Sequence, residues 1–383
     1  DFDGNYQINA SAGDQLTFSS LGFSSQTINI GNQNQINVTL LTSVDLLDEV
    51  VVSGYQTLER RAIGGAIGTV DTDEAFKTQV TNAAEALQGR VAGVTVVSGG
   101  APGSAPVIRI RGISTTNDNS PLYVIDGIQT TDPNVMRDIN PQDIENISVL
   151  KDGAAAVYGA RASNGVIVVT TKRGSYNAKN SFNVSAQYGV SEVTRYPDML
   201  NVQQHADMTW QSIINDGNVP THPQYGSGTK PVIPNFLNVP MPSGPEYEGA
   251  KAQVTPGGTD WFDAIFDPAD VTNVSISASG GSEEGRFYLS ANYLKQDGVV
   301  IGNTGFERVG TRLNSDFKIG DKITIVESLS ITYDKEGTTS GNAIQNAAFS
   351  SPLVPVYDTN GNFAGTYSNL SLIHISEPTR QDR

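Results

Sequence analysis

From about residue 175 onward the chain is written in long stretches that alternate apolar with polar residues, and this alternation constrains the fold more than any other feature. The stretches are 182–188, 274–278, 287–293, 312–319 and 323–331. Successive side chains of a strand point to opposite faces, so each stretch reads as a strand with one apolar and one polar side. The turns at 280–285 and 320–322 are short and glycine-bearing, which joins neighbouring strands into antiparallel pairs. Between the first strand and the second lies a long excursion, 196–270, rich in Pro, Asn and Gly.

Composition removes several classes of function. With 38% hydrophobic and 17% charged residues, the 383-residue chain is ordinary ordered protein. A net charge of -16 opposes contact with phosphate backbones, so no nucleic-acid partner is expected. The absence of cysteine excludes disulfides, thiolate metal sites and cysteine nucleophiles. His205, His222 and His374 lie far apart and without ligand spacing, so neither a metal site nor a Ser-His-Asp triad has its parts. The chain does not read as an enzyme, and no cofactor is expected.

No run of about 18 apolar residues is present, which rules out a membrane-spanning helix. It does not rule out a β-barrel, whose strands need only alternate over about 10 residues. Short turns alternating with long excursions are the habit of outer-membrane barrels, with the short turns periplasmic. About five strands are counted, too few to close an outer-membrane barrel, which needs at least eight. The chain therefore reads as a fragment that alone neither transports nor sits stably in a bilayer. Its opening at Asp1, with no signal segment, is read as a missing N-terminus.

Ahead of the strands the texture is different. Residues 1–44 alternate in short pieces, 15–18 and 35–40, and read as the end of a small β-sandwich. Asp1, Asp3 and Asn5 fit a hairpin turn better than a calcium loop. Next comes a strongly β-prone segment formed by Asp48, Glu49, Val50, Val51, Val52, Ser53, Gly54 and Tyr55. Such an extended segment can add itself to the sheet edge of another protein. Taken alone, three valines are most often a buried strand; their place between a sandwich and an α/β unit favours the exposed reading.

Residues 59–174 mix helix and strand. Asn82 with Glu85 reads as a capping box that starts a short helix, stopped by Gly89. Asn140 followed by Pro141 starts a second. The strands are 94–97, 107–111, 122–125, 147–150 and 166–170. The glycines of 98–103 are not a phosphate cradle, because Pro106 and a strand follow where a helix is required. In 107–111, Ile108 and Ile110 face one way, and Arg109 and Arg111 the other.

Five segments in order, DEVVVSGY (48–55), ALQGRVAGV (86–94), VIRIRG (107–112), PLYVIDG (121–127) and VLKDGAAAVYG (149–159), are closed by NGVIVVTTKRG (164–174). Together they resemble a SusC-like (RagA-type) TonB-dependent outer-membrane transporter. The resemblance implies a mixed fold. The end of a carboxypeptidase-regulatory-like β-sandwich occupies 1–44, a TonB box and linker 45–58, and an α/β plug domain 59–174. The first strands of an incomplete outer-membrane β-barrel, with extracellular loops, occupy 175–369. Residues 370–383 look like the translation of a sequencing-library adapter, so His374 bears no functional weight.

The resemblance further implies import of a nutrient, typically an oligosaccharide and in some members a peptide, across the outer membrane of a Gram-negative, Bacteroidota-type bacterium. A SusD-like lipoprotein covers the outside. TonB, driven by ExbB and ExbD, pulls on Asp48 to Tyr55, which lies with the rest of 1–58 in the periplasm. Arg109 and Arg111 are expected to hold the plug against acidic residues of the polar barrel wall. Trp210, Tyr225, Tyr247 and Trp261 of the excursion are each expected to pack loops or membrane girdles before they stack on sugars. A siderophore or cobalamin receptor remains open within transport. From another class, a secreted β-rich adhesin also remains, although it leaves the helix-containing region unexplained.

Overall fold

The structure, a computed structural model, describes residues 15–18, 26–31, 50–53, 56–59, 67–76, 80–239, 243–320, 322–337 and 343–364, with the single positions 8, 11, 36, 38, 39 and 241. β1 (Gln15–Phe18) and β2 (Gln26–Asn29) pair antiparallel with Leu16 opposite Ile28, and are the strands described within residues 1–44. β3 (Val50–Ser53) pairs antiparallel with β4 (Gln56–Glu59), Ser53 opposite Gln56.

The plug follows in chain order as β5 (Ile67–Val70), α1 (Thr72–Ala75), β6 (Val94–Val97), β7 (Val107–Ile110), β8 (Leu122–Ile125), β9 (Ile128–Thr130), α2 (Asn134–Asp138), β10 (Ile144–Leu150) and β11 (Val166–Thr171). Its five-stranded sheet has the order β5-β10-β11-β8-β9, with β11 parallel to β8 and the other pairs antiparallel. The run VIVVTT of β11 is nearly all apolar because the strand is covered on both faces. Val166 and Val168 pack with Leu122, Val124 and Ala154, whereas Ile167 and Val169 pack with Ile108, Met136 and Ile147. The β6–β7 hairpin closes that second face through Val96, Ile108 and Ile110.

Both expected helix starts make their caps, yet neither becomes an α-helix. Asn82 Oδ1 accepts from the backbone N–H groups of Ala84 and Glu85, and the Glu85 carboxylate accepts from Thr81 N–H and Asn82 Nδ2. The result is a single 3-10 turn, Glu85–Leu87. Asn140 caps another, Pro141–Asp143, which runs at once into β10 because Ile144 is already claimed by pairing with Thr171.

After the plug the chain enters β12 (Ser181–Ser191) and the excursion, which holds α3 (Val202–Asn215), β13 (Thr221–His222), β14 (Gly226–Ser227) and α4 (Trp261–Ile265). It returns as β15 (Ala269–Gly281), β16 (Gly285–Gln296), β17 (Phe306–Ile319) and β18 (Ile323–Glu336), followed by α5 (Ala343–Phe349). The sheet β12-β15-β16-β17-β18 is antiparallel throughout and ends at β12 and β18 among the described residues. It is an incomplete barrel wall, and it is built inside out. Val184, Ile276, Leu289, Val309, Ile325 and Ile331 are exposed on one face, while Asn273, Ser290, Arg308, Arg312, Asn314 and Asp316 are buried on the other. Exposed Tyr188, Tyr293 and Tyr333 edge the apolar face towards the long excursions, and Phe182, Phe287 and Phe317 edge it towards the short turns. An apolar band with aromatic rims is the lipid-facing pattern of an outer-membrane barrel.

Within the excursion, α3 begins with a complete capping box between Asn201 and Gln204. Trp210 and Tyr225 fill one loop core, and Trp261 packs with Phe262, Ala343 and Ala347 in another. These three aromatics are at most 3% exposed and are loop-packing residues; Tyr247 is half-buried.

Candidate functional site

The plug sheet lies against the polar face of the barrel wall, and the contact between them is mostly ion pairs and hydrogen bonds, with Phe306 of the wall packed against Gly103 and Arg137 of the plug. Its centre is Asp126. The β8–β9 hairpin has a two-residue loop in which Asp126 (φ 47°) and Gly127 (φ 89°) are both left-handed, as a type I′ turn requires. That turn aims the Asp126 carboxylate sideways, where it accepts from Thr171 N–H (2.9 Å) and Thr171 Oγ1 (2.6 Å). It meets the Arg312 guanidinium of β17 at 3.4 Å. Arg312 also lies 3.9 Å from Asp143, so one wall cation is shared between two plug acids.

Asp143 sits on the plug with 2% exposure and accepts a hydrogen bond from Tyr288 of β16 at 3.0 Å. Burial pushes its carboxyl above the usual range, against the pull of the Tyr288 hydroxyl and the Arg312 charge. Nearby, Asn140 donates to Ser275 of β15 (3.0 Å), and Asn314 of β17 donates to Thr171 Oγ1 (2.8 Å) and to the Lys172 carbonyl (2.7 Å). Where the plug hands over to the barrel, Asp316 accepts from Arg173 of the plug (2.7 Å) and from Arg286 of β16 (2.6 Å). At the other end Arg137 of the plug reaches Asp334 of β18 at 3.3 Å.

Arg109 and Arg111 occupy a different place from this interface. Ile108 and Ile110 turn into the plug core, and both arginines are exposed. Arg111 (φ 58°) pairs with Asp152 of the plug itself, and Lys151 beside it donates to the Ala92 carbonyl. Burial, and then the Arg111 charge, hold the Lys151 ammonium below its usual range. The segments 86–94, 107–112 and 149–159 thus meet one another within the plug. The charged plug-to-wall contacts run instead through Asp126, Asp143, Arg137 and Arg173.

Those four were missed by sequence reasoning, although Asp126 stands inside PLYVIDG. Two signals bear on them. An Asp-Gly pair between two apolar runs marks a turn that projects a carboxylate, and a strand with Arg308, Arg312 and Asp316 on one side and Val309 and Phe317 on the other calls for a charged partner.

Of the segment Asp48 to Tyr55, the described part is Val50, Val51, Val52 and Ser53. It is extended, and one of its two edges is taken by β4. Asp48, Glu49, Gly54 and Tyr55 lie outside the described residues, as do 370–383.

With that geometry in hand, comparison with known proteins identifies the class. A family model for the TonB-dependent receptor plug domain matches residues 59–166. A TonB-dependent receptor of Formosa agariphila is 35% identical over 371 residues, 95% of this chain and 34% of that protein. The TonB-dependent receptor SusC of Bacteroides thetaiotaomicron is 32% identical over 384 residues, 96% of this chain and 34% of SusC. Among solved structures, the RagAB peptide importer in its open-open state matches with a TM-score of 0.66 and 26% identity, over 84% of this chain and 37% of that one. Over nearly its whole length the chain is therefore similar to SusC-like, RagA-type TonB-dependent receptors, and residues 59–166 match their plug domain. It spans about a third of the length of the curated relatives it matches.

Proposed function

We propose that the receptor to which this chain belongs imports an oligosaccharide or a peptide across the outer membrane, and that TonB opens it by pulling the plug off the wall. The observation that carries this reading is the chemistry of the plug–wall contact. Separating two apolar surfaces costs about 25 cal/mol for each Å2 re-exposed. Separating buried ion pairs lets both charges regain water, so the net cost of detachment is far smaller than the number of contacts suggests. An interface of Asp126, Asp143, Arg312 and Asp316 therefore suits a plug that must leave and return. The likeness to RagAB, a peptide importer, and to SusC favours a nutrient oligomer over a siderophore or cobalamin.

Coupling is assigned to Asp48 to Tyr55. A strand added edge-on to TonB resists force through several hydrogen bonds at once. β4 occupies one edge of β3, and the other, unpaired among the described residues, would receive TonB. TonB would act with ExbB and ExbD, and a SusD-like lipoprotein would cover the extracellular side. Residues 1–58 would lie in the periplasm. Arg109 and Arg111 retain a role in holding the plug only towards wall strands beyond these five. The role assigned is transport, with no catalytic group in it. Val51→Pro removes a ladder donor from β3. The full-length variant is expected to bind cargo normally and to lose uptake; normal uptake would refute the coupling role.

A further inference from the structure

Phe306 and Arg308 of β17 stand two residues apart on the polar face of the wall, under the same corner of the plug. They act on it in opposite senses. The Phe306 ring lies on the backbone of Gly103, so close that a Cβ there would overlap it, and packs with Val271 and Leu294 of the wall. This contact holds the plug, because separation returns apolar surface to water.

Arg308 is placed differently. It is 1% exposed and is the bulkiest of the fully buried side chains. Its Nη1 donates to the Arg137 carbonyl of the plug, whereas its Nε and Nη2 are sealed from solvent with no hydrogen-bond partner among the described residues. Asp138 and Asp334, the acids that could answer it, are both bonded to Arg137, at 2.9 and 3.3 Å. Arg312 Nε on the same strand and Asn292 Oδ1 on β16 are orphaned in the same way. Buried polar groups are ordinarily bonded. Here the orphans lie on the wall face that the plug covers. Taking a guanidinium out of water costs more than its one bond to a carbonyl returns. When the plug lifts, that face becomes the lining of a polar lumen, and Arg308 regains its hydration.

We infer that Arg308 is a preloaded spring beneath the plug: its dehydration destabilises the seated state, opposes the apolar hold of Phe306 and lowers the work needed to unseat this corner. The inference rests on the import reading above, in which TonB pulls the plug off the wall. The two residues divide the task. Phe306 keeps the plug seated at rest, and Arg308 keeps the seat weak enough to open. A wall cation that merely anchored the plug through the Arg137 carbonyl would act with Phe306, not against it.

The sign of the effect is read from hydrogen exchange of 98–104 and 134–138 in the full-length receptor, without TonB or cargo, relative to wall segment 285–296. Phe306→Ala removes the apolar hold and should speed exchange of both segments at least fivefold. Arg308→Met keeps most of the side chain's length without its charge, and should slow exchange at least fivefold. Arg308→Gln, neutral but still able to donate, should slow it as well; it carries the test if the Met variant does not fold, which heat-modifiable mobility reports. Unchanged or faster exchange in the folded Arg308 variant overturns the inference and makes Arg308 an ordinary anchor. No transport enters the readout, so it fails separately from the Val51→Pro uptake test.

Discussion

Asp126 of the plug and Arg312 of the barrel wall lie 3.4 Å apart with side chains 5% and 6% exposed, though 186 residues separate them in sequence. Each charge has a second partner, Thr171 for Asp126 and Asp143 for Arg312, but this pair is the one that joins plug to wall at the shorter distance. Asp126→Asn is expected to destabilise plug docking by about 1–3 kcal/mol, since it leaves the buried Arg312 with Asp143, 3.9 Å away, as its remaining acid. Hydrogen exchange of 122–130 and 166–171 in urea, on the full-length receptor, measures the loss. The double variant with Arg312→Met should recover part of it; equal effects from all three variants would show that the pair does not couple plug to wall.

A glycine marks the handover from plug to barrel. A Cβ built on Gly174 would stand 2.3 Å from the Phe287 carbonyl oxygen and 2.5 Å from that of Gly280, both wall backbone that has no room to yield. Gly174→Ala should therefore cost about 1–3 kcal/mol. Gly153 has nothing within 4 Å of its Cβ position and no left-handed φ, so Gly153→Ala should be neutral or stabilise by about 0.4–1 kcal/mol. Urea midpoints of the two variants give the comparison, and an equal change in both would contradict the close approach.

The loop core around Tyr225 should respond to acid. His205 Nδ1 lies 2.8 Å from the Tyr225 hydroxyl, and His222 stacks on the Tyr225 ring at 4.8 Å. Burial, and then the charge of His222, hold the His205 imidazole below its usual 6.5. A depressed folded value means that the folded loop binds fewer protons than the unfolded one. The stability from neutral His205 is fully present above pH 6.5 and is lost as pH falls through the folded value below it. Exchange of 202–215, corrected for intrinsic rate, should accelerate several-fold between pH 7.5 and 5, and His205→Gln should flatten that dependence.

The five wall strands were legible because period-two alternation is a local signal, although their ends were not. The stretch 274–278 became Ala269–Gly281 because Asn273 and Thr272 continue the ladder opposite Gln187 and Tyr188. The caps at Asn82 and Asn140 were legible as well, but the length of what followed was decided by sheet pairing and gave single turns. What local pattern does not contain is which distant polar residues face each other. Arg109 and Arg111 drew attention by alternating with isoleucines, whereas Asp126, a single acid in a turn, acquires its role only when β17 is laid beside it.

If the plug must leave the wall for cargo to pass, a removable tether between the two stops uptake. Asn140 of the plug and Ser275 of β15 are hydrogen-bonded at 3.0 Å, and the chain itself contains no cysteine. In a full-length receptor carrying Asn140→Cys and Ser275→Cys, joined by a short reducible cross-linker, cargo binding should persist and uptake should stop, returning on reduction. Uptake at the untethered rate while the link is intact would show that cargo passes with the plug still seated on the wall.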